Sequence, residues 1–426
     1  MAFLDSTTRR SLLEPSIRRP ARRGLIARQV WTVVGMYALS RVYSSALIAI
    51  LLWIVLANGW SVPSYYSEPW YVLADGAHYR DTVNFFTFSG LWDGEHYNYI
   101  FNHGYPVHPP VDGTGAIAPN PWAFLPVYPL VVKGLSVVTG FGFFSLGTVF
   151  SMVCGLGAAI ALYFLVHDRA GHKTAQFVTA LFAFGPLGFL LQTTYAESLF
   201  FLLMFSAMLL FQRERYWLMT IPASIAAFTR PGEVALAAAV LIVFCVKWWR
   251  AHFALERVEF PWRQRIAMIA AGLITFVTGM AWPVVGSIVT GLPGLYMSTE
   301  LSWRVDLIGY APFVPFAAPF EFFGRYTGAF GVVFAAAAVA GFAYWLFRRR
   351  LRRLGMPMLA TVGSYALYLF AVVTPTQSFL RLCMPLIPMF ADPAIALSAK
   401  WRRVVFYGFA ALQVVFIVLL WYLTNP

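Results

Sequence analysis

Charge is what this chain has least of. Only 12% of its 426 residues are charged and 60% are hydrophobic, whereas an ordinary soluble domain carries about 25% charged residues. A water-soluble fold of this size would lack the polar residues to cover its surface, so that class is excluded. Acid is scarcer still, with 18 Asp and Glu against 31 Lys and Arg. Cysteine is nearly absent. Cys154, Cys245 and Cys383 all fall in apolar stretches, without the metal-ligand or CxxC spacing of zinc or redox sites. There is no internal repeat or inverted symmetry of the kind many transporters show. The first apolar stretch is too long for a cleavable signal peptide and lacks its small-residue site, so it reads as a retained span.

Long apolar runs take the place of charge. Stretches 30–57 and 266–290 proceed almost without a charged residue. Every backbone N–H and C=O in hydrocarbon must be paired internally, so such runs can only be helices. The expected fold class is an all-α polytopic integral membrane protein with about 11 transmembrane helices. The basic residues gather in short blocks between the runs: Arg18, Arg19, Arg22, Arg23 and Arg28; Lys247, Arg250, Arg257, Arg263 and Arg265; 348–353; and Lys400, Arg402 and Arg403. That is the excess expected of cytoplasmic loops, and it also attracts anionic headgroups of membrane lipids. It removes the need to invoke nucleic acid for the net charge of +13.

The charge blocks set a provisional topology. Residues 1–29 read as a basic, partly disordered cytoplasmic tail. The span 30–57 then exits and leaves 58–121 outside, a long first outer loop rich in Trp, Tyr, Pro, Gly and Asn. Long loops of that kind are commonly functional. From the other end, 348–353 is inside, so 331–347 enters and 291–326 is outside. Residues 358–374 exit, 374–381 is outside, and 382–399 returns to Lys400. The middle allows two assignments. One treats 217–246 as a single broken span and puts Tyr195-Ala196-Glu197 inside. The other splits it into two short helices, lays 122–138 in the outer interface, and puts that triplet outside. The second keeps 167–173 and 212–215 cytoplasmic, as the basic residues prefer.

Chemistry concentrates in Trp92-Asp93-Gly94-Glu95-His96-Tyr97-Asn98-Tyr99-Ile100-Phe101-Asn102-His103-Gly104-Tyr105. From Asp93, the residues Tyr97, Ile100, Phe101 and Gly104 recur at helical spacing, which predicts a short amphipathic helix along the membrane surface. Asp93 falls at its start, where the helix dipole favours a carboxylate. It is then either a general base within reach of a hydroxyl or simply an N-cap.

These strings also carry a family resemblance. Trp92-Asp93-Gly94-Glu95-His96-Tyr97…Gly104-Tyr105 resembles the signature of the GPI mannosyltransferase II (PIG-V-type) family of GT-C glycosyltransferases. Phe124-Leu125-Pro126-Val127-Tyr128-Pro129-Leu130 resembles its Phe-Pro-x-x-Pro-Leu element. Tyr195-Ala196-Glu197-Ser198-Leu199-Phe200 resembles Tyr-Ser-Glu-Ser-Leu-Phe, with alanine for the first serine. Phe228-Thr229-Arg230-Pro231-Gly232 resembles Ala-Arg-Pro-Asn-Gly, with threonine for alanine and the asparagine missing. Ser378-Phe379-Leu380-Arg381…Pro385 loosely matches the final arginine-bearing loop. The matches follow in order over about two-thirds of the chain.

The resemblance implies one membrane-embedded GT-C-like catalytic domain over 30–426. It implies inverting transfer of mannose from a polyprenyl-phosphate carrier to an acceptor hydroxyl at the outer face, with Asp93 as base. The acceptor would be a glycolipid or a secreted protein. The membrane would be the plasma membrane in a bacterium, which the compact loops suggest, or the endoplasmic reticulum in a eukaryote. The leaving phosphate already carries charge and asks for cationic or backbone donors rather than an acid, so no metal or other cofactor is required. Arg381 suits phosphate, or else snorkels to the interface. Arg230 is the second cation, with Glu197 or Glu233 as its alternative partner. Trp92, Glu95, His96, Tyr97, Glu197 and Trp303 complete the expected substrate contacts. A lipid or glycolipid transporter is the competing class, as is a GT-C enzyme using another lipid-linked sugar. A transporter would call for paired broken helices and more buried charge than Arg230, Glu233 and Glu197 supply.

Overall fold

Helices carry the whole architecture, as apolar surroundings demand. The computed structural model describes residues 23–62, 83–254, 259–305, 309, 312–376 and 378–424. Among these the sole extended pairing is an isolated bridge between Val111 and Ile117. Six helices are long and apolar enough to cross a membrane: Ile26–Ala57, Phe143–Ala170, Val234–His252, Trp262–Thr290, Ala329–Leu346 and Ala399–Leu423. Four shorter apolar helices join them, Val127–Thr139, Glu197–Gln212, Tyr216–Ala227 and Met356–Val372. The chain is thus a multi-span, all-helical membrane protein. The figure of about 11 crossings goes beyond what these lengths establish.

Several expected boundaries move. The first helix begins at Arg23, so the last part of the expected 1–29 tail is helical; residues 1–22 lie outside the described set, as do 63–82 of the long loop. The expected return span 382–399 is no continuous helix. It is made of short pieces, Phe379–Leu382, Met384–Ala391 and Pro393–Ala396, because Pro385, Pro388 and Pro393 each remove a backbone donor. The apolar stretch 175–191 breaks likewise: His172–Phe184 stops at Gly185-Pro186 before the 3-10 turn Gly188–Gln192. The break is mended by a residue that the apolar run concealed. Arg41 is buried and its Nη2 donates to Ala183 O at 3.0 Å and Gly188 O at 2.8 Å, satisfying carbonyls that have lost their helical partners.

The main core lies where Phe143–Ala170, His172–Phe184 and Glu197–Gln212 meet, filled by Leu162, Val166, Val178, Phe182, Phe201 and Phe205. The first of these helices fixes the long axis. Its 28 residues extend about 42 Å at 1.5 Å per residue. Near its start, Gly147 abuts Thr194, where an added Cβ would come within 2.9 Å of the threonine methyl. At its far end Asp168 accepts from Arg213 Nε at 2.8 Å. Tyr195-Ala196-Glu197 and the 167–173 and 212–215 segments therefore sit at opposite ends of one helix. Residues 216–227 and 234–252 are two helices. Both facts agree with the second assignment of the middle region.

Candidate functional site

The site is built where two helices begin. Asp93 opens Asp93–His103 and Glu197 opens Glu197–Gln212, so both carboxylates occupy the positive end of a helix dipole. The two starts are held together by close contact. Gly94 presses on the turn before Glu197, where a Cβ would fall 2.6 Å from Thr194 Oγ1. Tyr195 donates its hydroxyl to Leu91 O at 3.1 Å and accepts from Asp93 N at 3.3 Å. Trp92 takes a left-handed backbone with φ 62°, a sparsely populated region for a bulky residue, and this turns the chain into the helix.

Two arginines thread these acids. Arg381 Nη1 lies 2.7 Å from Asp93 Oδ2 and 3.5 Å from Glu197 Oε1, and Arg230 Nη1 pairs with the same Glu197 oxygen. The Arg381 guanidinium also stands 5.4 Å over the Tyr195 ring. Burial works against a charged Arg381, but Asp93 and Glu197 outweigh it and hold its pKa above the usual arginine range. Two acids and two bases thus form one buried, mutually compensated network, the arrangement in which removing a single member is costly. Asp93 is not a side-chain cap. The N-cap position is Trp92 and no side-chain cap bond forms there. Arg381 does not snorkel; it is 8% exposed.

Beside this network opens a cavity of about 1300 Å³. Its residues come from the start of Val234–His252, the ends of Trp262–Thr290 and Met356–Val372, and connecting segments around them. Asp93, His96, Tyr97, Arg230, Trp303 and Arg381, all singled out by sequence, line it. His96 stacks on Phe124 at 4.4 Å and meets Trp303 edge-on at 5.3 Å. Burial pushes its imidazole down to about 3, so it is a neutral ring rather than a cation. Glu197, also expected to touch substrate, is not among the lining residues; it lies behind the wall, paired with the two arginines.

Two expected contacts are corrected. Trp92 does not face the cavity: its Nε1 donates to Trp421 O at 2.9 Å, and its ring packs beside the cluster around Trp421. Glu95 is buried but is not among the lining residues. Nor does the helix lie along a surface, since Asp93, Gly94, Glu95, His96, Tyr97 and Ile100 are all buried.

Other lining residues carried weaker signals. Leu295–Ser302 and the turn after it supply Tyr296, Glu300 and Arg304. Tyr296 donates to Glu300, whose carboxyl is pushed up by burial to about 7. Sequence pointed to Trp303 but not to Glu300 three residues before it; a lone acid in an aromatic-bearing stretch was the available cue. Among the described residues no three His, Cys, Asp or Glu side chains are grouped to hold a metal ion.

Fold and site together define a multi-span membrane protein with a charged, aromatic-walled cavity at one end of its helices. No protein-family model and no curated protein matches the chain. Among solved structures it is similar to the Archaeoglobus fulgidus oligosaccharyltransferase in complex with zinc and sulfate, at 14% identity and a TM-score of 0.39, covering 78% of this chain and 48% of that one. The chain spans about half the length of that protein. At that level of superposition nothing about activity passes from one chain to the other.

Proposed function

We propose that the chain is a membrane glycosyltransferase of GT-C type that moves mannose from a polyprenyl-phosphate carrier to an acceptor hydroxyl, with inversion. The observation that carries this reading is the Asp93–Arg381 pair at 2.7 Å on the wall of a large cavity. It joins a proton acceptor to a phosphate-binding group in one place. Arg381 engages Asp93 Oδ2, which leaves Oδ1 as the oxygen to receive the acceptor's proton. The acceptor oxygen attacks the anomeric carbon, the bond from that carbon to the phosphate oxygen breaks, and the phosphate departs on the opposite face. A single displacement of this kind needs one carboxylate, unlike the two-carboxylate hydrolysis of a glycoside. The departing phosphate gains charge that Arg381, Arg230 and Arg304 are suited to receive. His96, Tyr97 and Trp303 give the sugar a largely apolar, shape-defining wall.

The acceptor is then a glycolipid or secreted protein reaching the outer membrane face, and mannose is the sugar the motif resemblance favours. The test is transfer from radiolabelled polyprenyl-phosphate mannose by proteoliposomes containing the full chain. Wild type transfers label, and Asp93→Asn at equal protein level lowers the rate by about 10²–10⁴-fold, the usual worth of a positioned base. Full activity of Asp93→Asn would overturn the assignment. Movement of the labelled lipid across the bilayer without sugar transfer would overturn the reaction class in favour of a transporter.

A further inference from the structure

The turn Arg230-Pro231-Gly232-Glu233 sends an arginine and a glutamate toward one cavity, and only the arginine finds a partner in the protein. Arg230 pairs with Glu197. Glu233 is 1% exposed and lines the cavity, yet neither Oε1 nor Oε2 has a hydrogen-bond partner. The division is built into the backbone. Gly232 has φ +110°, and Tyr368 and Tyr365 stand 3.0 and 3.1 Å from where its Cβ would be, so the turn cannot easily relax. Facing Glu233 from Trp262–Thr290 is Gly279, where an added Cβ would come 2.9 Å from Glu233 Oε2. That glycine keeps the space before the carboxyl open.

A buried carboxyl without partners is expensive even when it holds its proton, and a native fold rarely keeps one without a use. The guanidiniums of Arg230 and Arg381 are engaged by Glu197 and Asp93, which leaves a ligand as the source of partners for both Glu233 oxygens. A neutral carboxyl donates through one oxygen and accepts through the other, and neighbouring hydroxyls of a hexose, each donor and acceptor, match it. Tyr296, Trp303 and Tyr368 in the same cavity offer ring faces to the sugar's C–H side.

We propose that Glu233 reads the sugar: its carboxyl group donates one hydrogen bond to, and accepts one from, two adjacent hydroxyls of a hexose held in the cavity. The proposal rests on the sugar-transfer reading of that cavity but goes beyond it, because it assigns recognition to a residue remote from the Asp93 chemistry. The same hydroxyl pair can belong to the lipid-linked donor or to a sugar on the acceptor.

The experiment is a binding titration of the purified full chain, in a detergent without a sugar headgroup, followed by tryptophan fluorescence from Trp282 and Trp303. Three probes are used: polyprenyl-phosphate mannose, polyprenyl phosphate, and octyl mannoside. Glu233→Leu removes both oxygens at similar volume, and Gly279→Ala places a methyl group against Oε2. Both variants should bind a sugar-bearing probe about tenfold or more weakly while binding bare polyprenyl phosphate as wild type does. A loss confined to polyprenyl-phosphate mannose assigns the hydroxyls to the donor; a loss with octyl mannoside assigns them to the acceptor. Equal thermal melting shows that the fold survives, and either variant suffices if the other does not fold. Glu233-dependent binding of octyl mannoside with no binding of polyprenyl phosphate would keep this proposal while sinking the lipid-carrier reading. Wild-type affinity of both variants for every sugar probe, or no sugar binding by wild type, would overturn it.

Discussion

A charged side chain buried in an apolar bundle must be matched: Glu197, Arg230 and Arg381 stood out in the sequence against apolar neighbours, Asp93 stood out as the start of a helical pattern, and the fold brings all four into one network. Arg381→Lys keeps the charge but loses the planar guanidinium, whose further N–H groups suit a phosphate while Nη1 holds Asp93 and Glu197. Its KM for the lipid donor should rise about tenfold or more, one charge-assisted hydrogen bond being worth about 1.5–3 kcal/mol, and steady-state kinetics with polyprenyl-phosphate mannose would measure it. Glu300 makes the pH prediction. Its carboxyl titrates near 7 in the fold against an ordinary value of 4.5, so the folded chain keeps a proton that the unfolded chain has released. Its contribution to stability is therefore full below about 4.5 and is lost as pH rises toward 7. Melting temperatures of wild type should fall over that window relative to Glu300→Gln, whose profile should be flatter. Trp92 was misjudged because its direction depends on a left-handed φ, which residue type does not announce.

The start of the helix at Asp93 was legible from periodicity, and Asp93–His103 follows it. Its burial was not, since a short helix with mixed polarity reads as a surface element until something packs on its charged face. Here Thr194 and Tyr195 do so. Gly94→Ala should therefore destabilise the protein by about 1–3 kcal/mol through overpacking and slow transfer by displacing Asp93. The double variant Gly94→Ala/Thr194→Ala should recover part of the lost melting temperature, because the Oγ1 that the new Cβ meets is gone. Failure of the double variant to recover any stability would show that the contact is not what limits this position. Breaks at Gly185-Pro186 and through 379–396 were hidden for a different reason. Hydropathy counts apolar residues and is blind to prolines and to Arg41, which repairs a break from another helix.

Across the molecule, the described basic segments 247–252, 263–265 and 349–353 lie at the helix ends away from the cavity. That separation was readable from charge placement alone, whereas the number of crossings was not, because several helices are shorter than a bilayer requires and depend on neighbours to cover their ends. Single cysteines introduced in a background free of Cys154, Cys245 and Cys383 test the arrangement. Ser298→Cys, beside the cavity, should react with an impermeant thiol reagent from the outer face, and Arg352→Cys only after the membrane is opened. The most direct measurement of the central claim is a cryo-EM structure of the full chain with polyprenyl-phosphate mannose bound. The account predicts the phosphate against Arg381 and Arg230, with the anomeric carbon turned toward Asp93. A lipid phosphate seated away from both arginines, or a sugar outside the cavity that Asp93 lines, would contradict it.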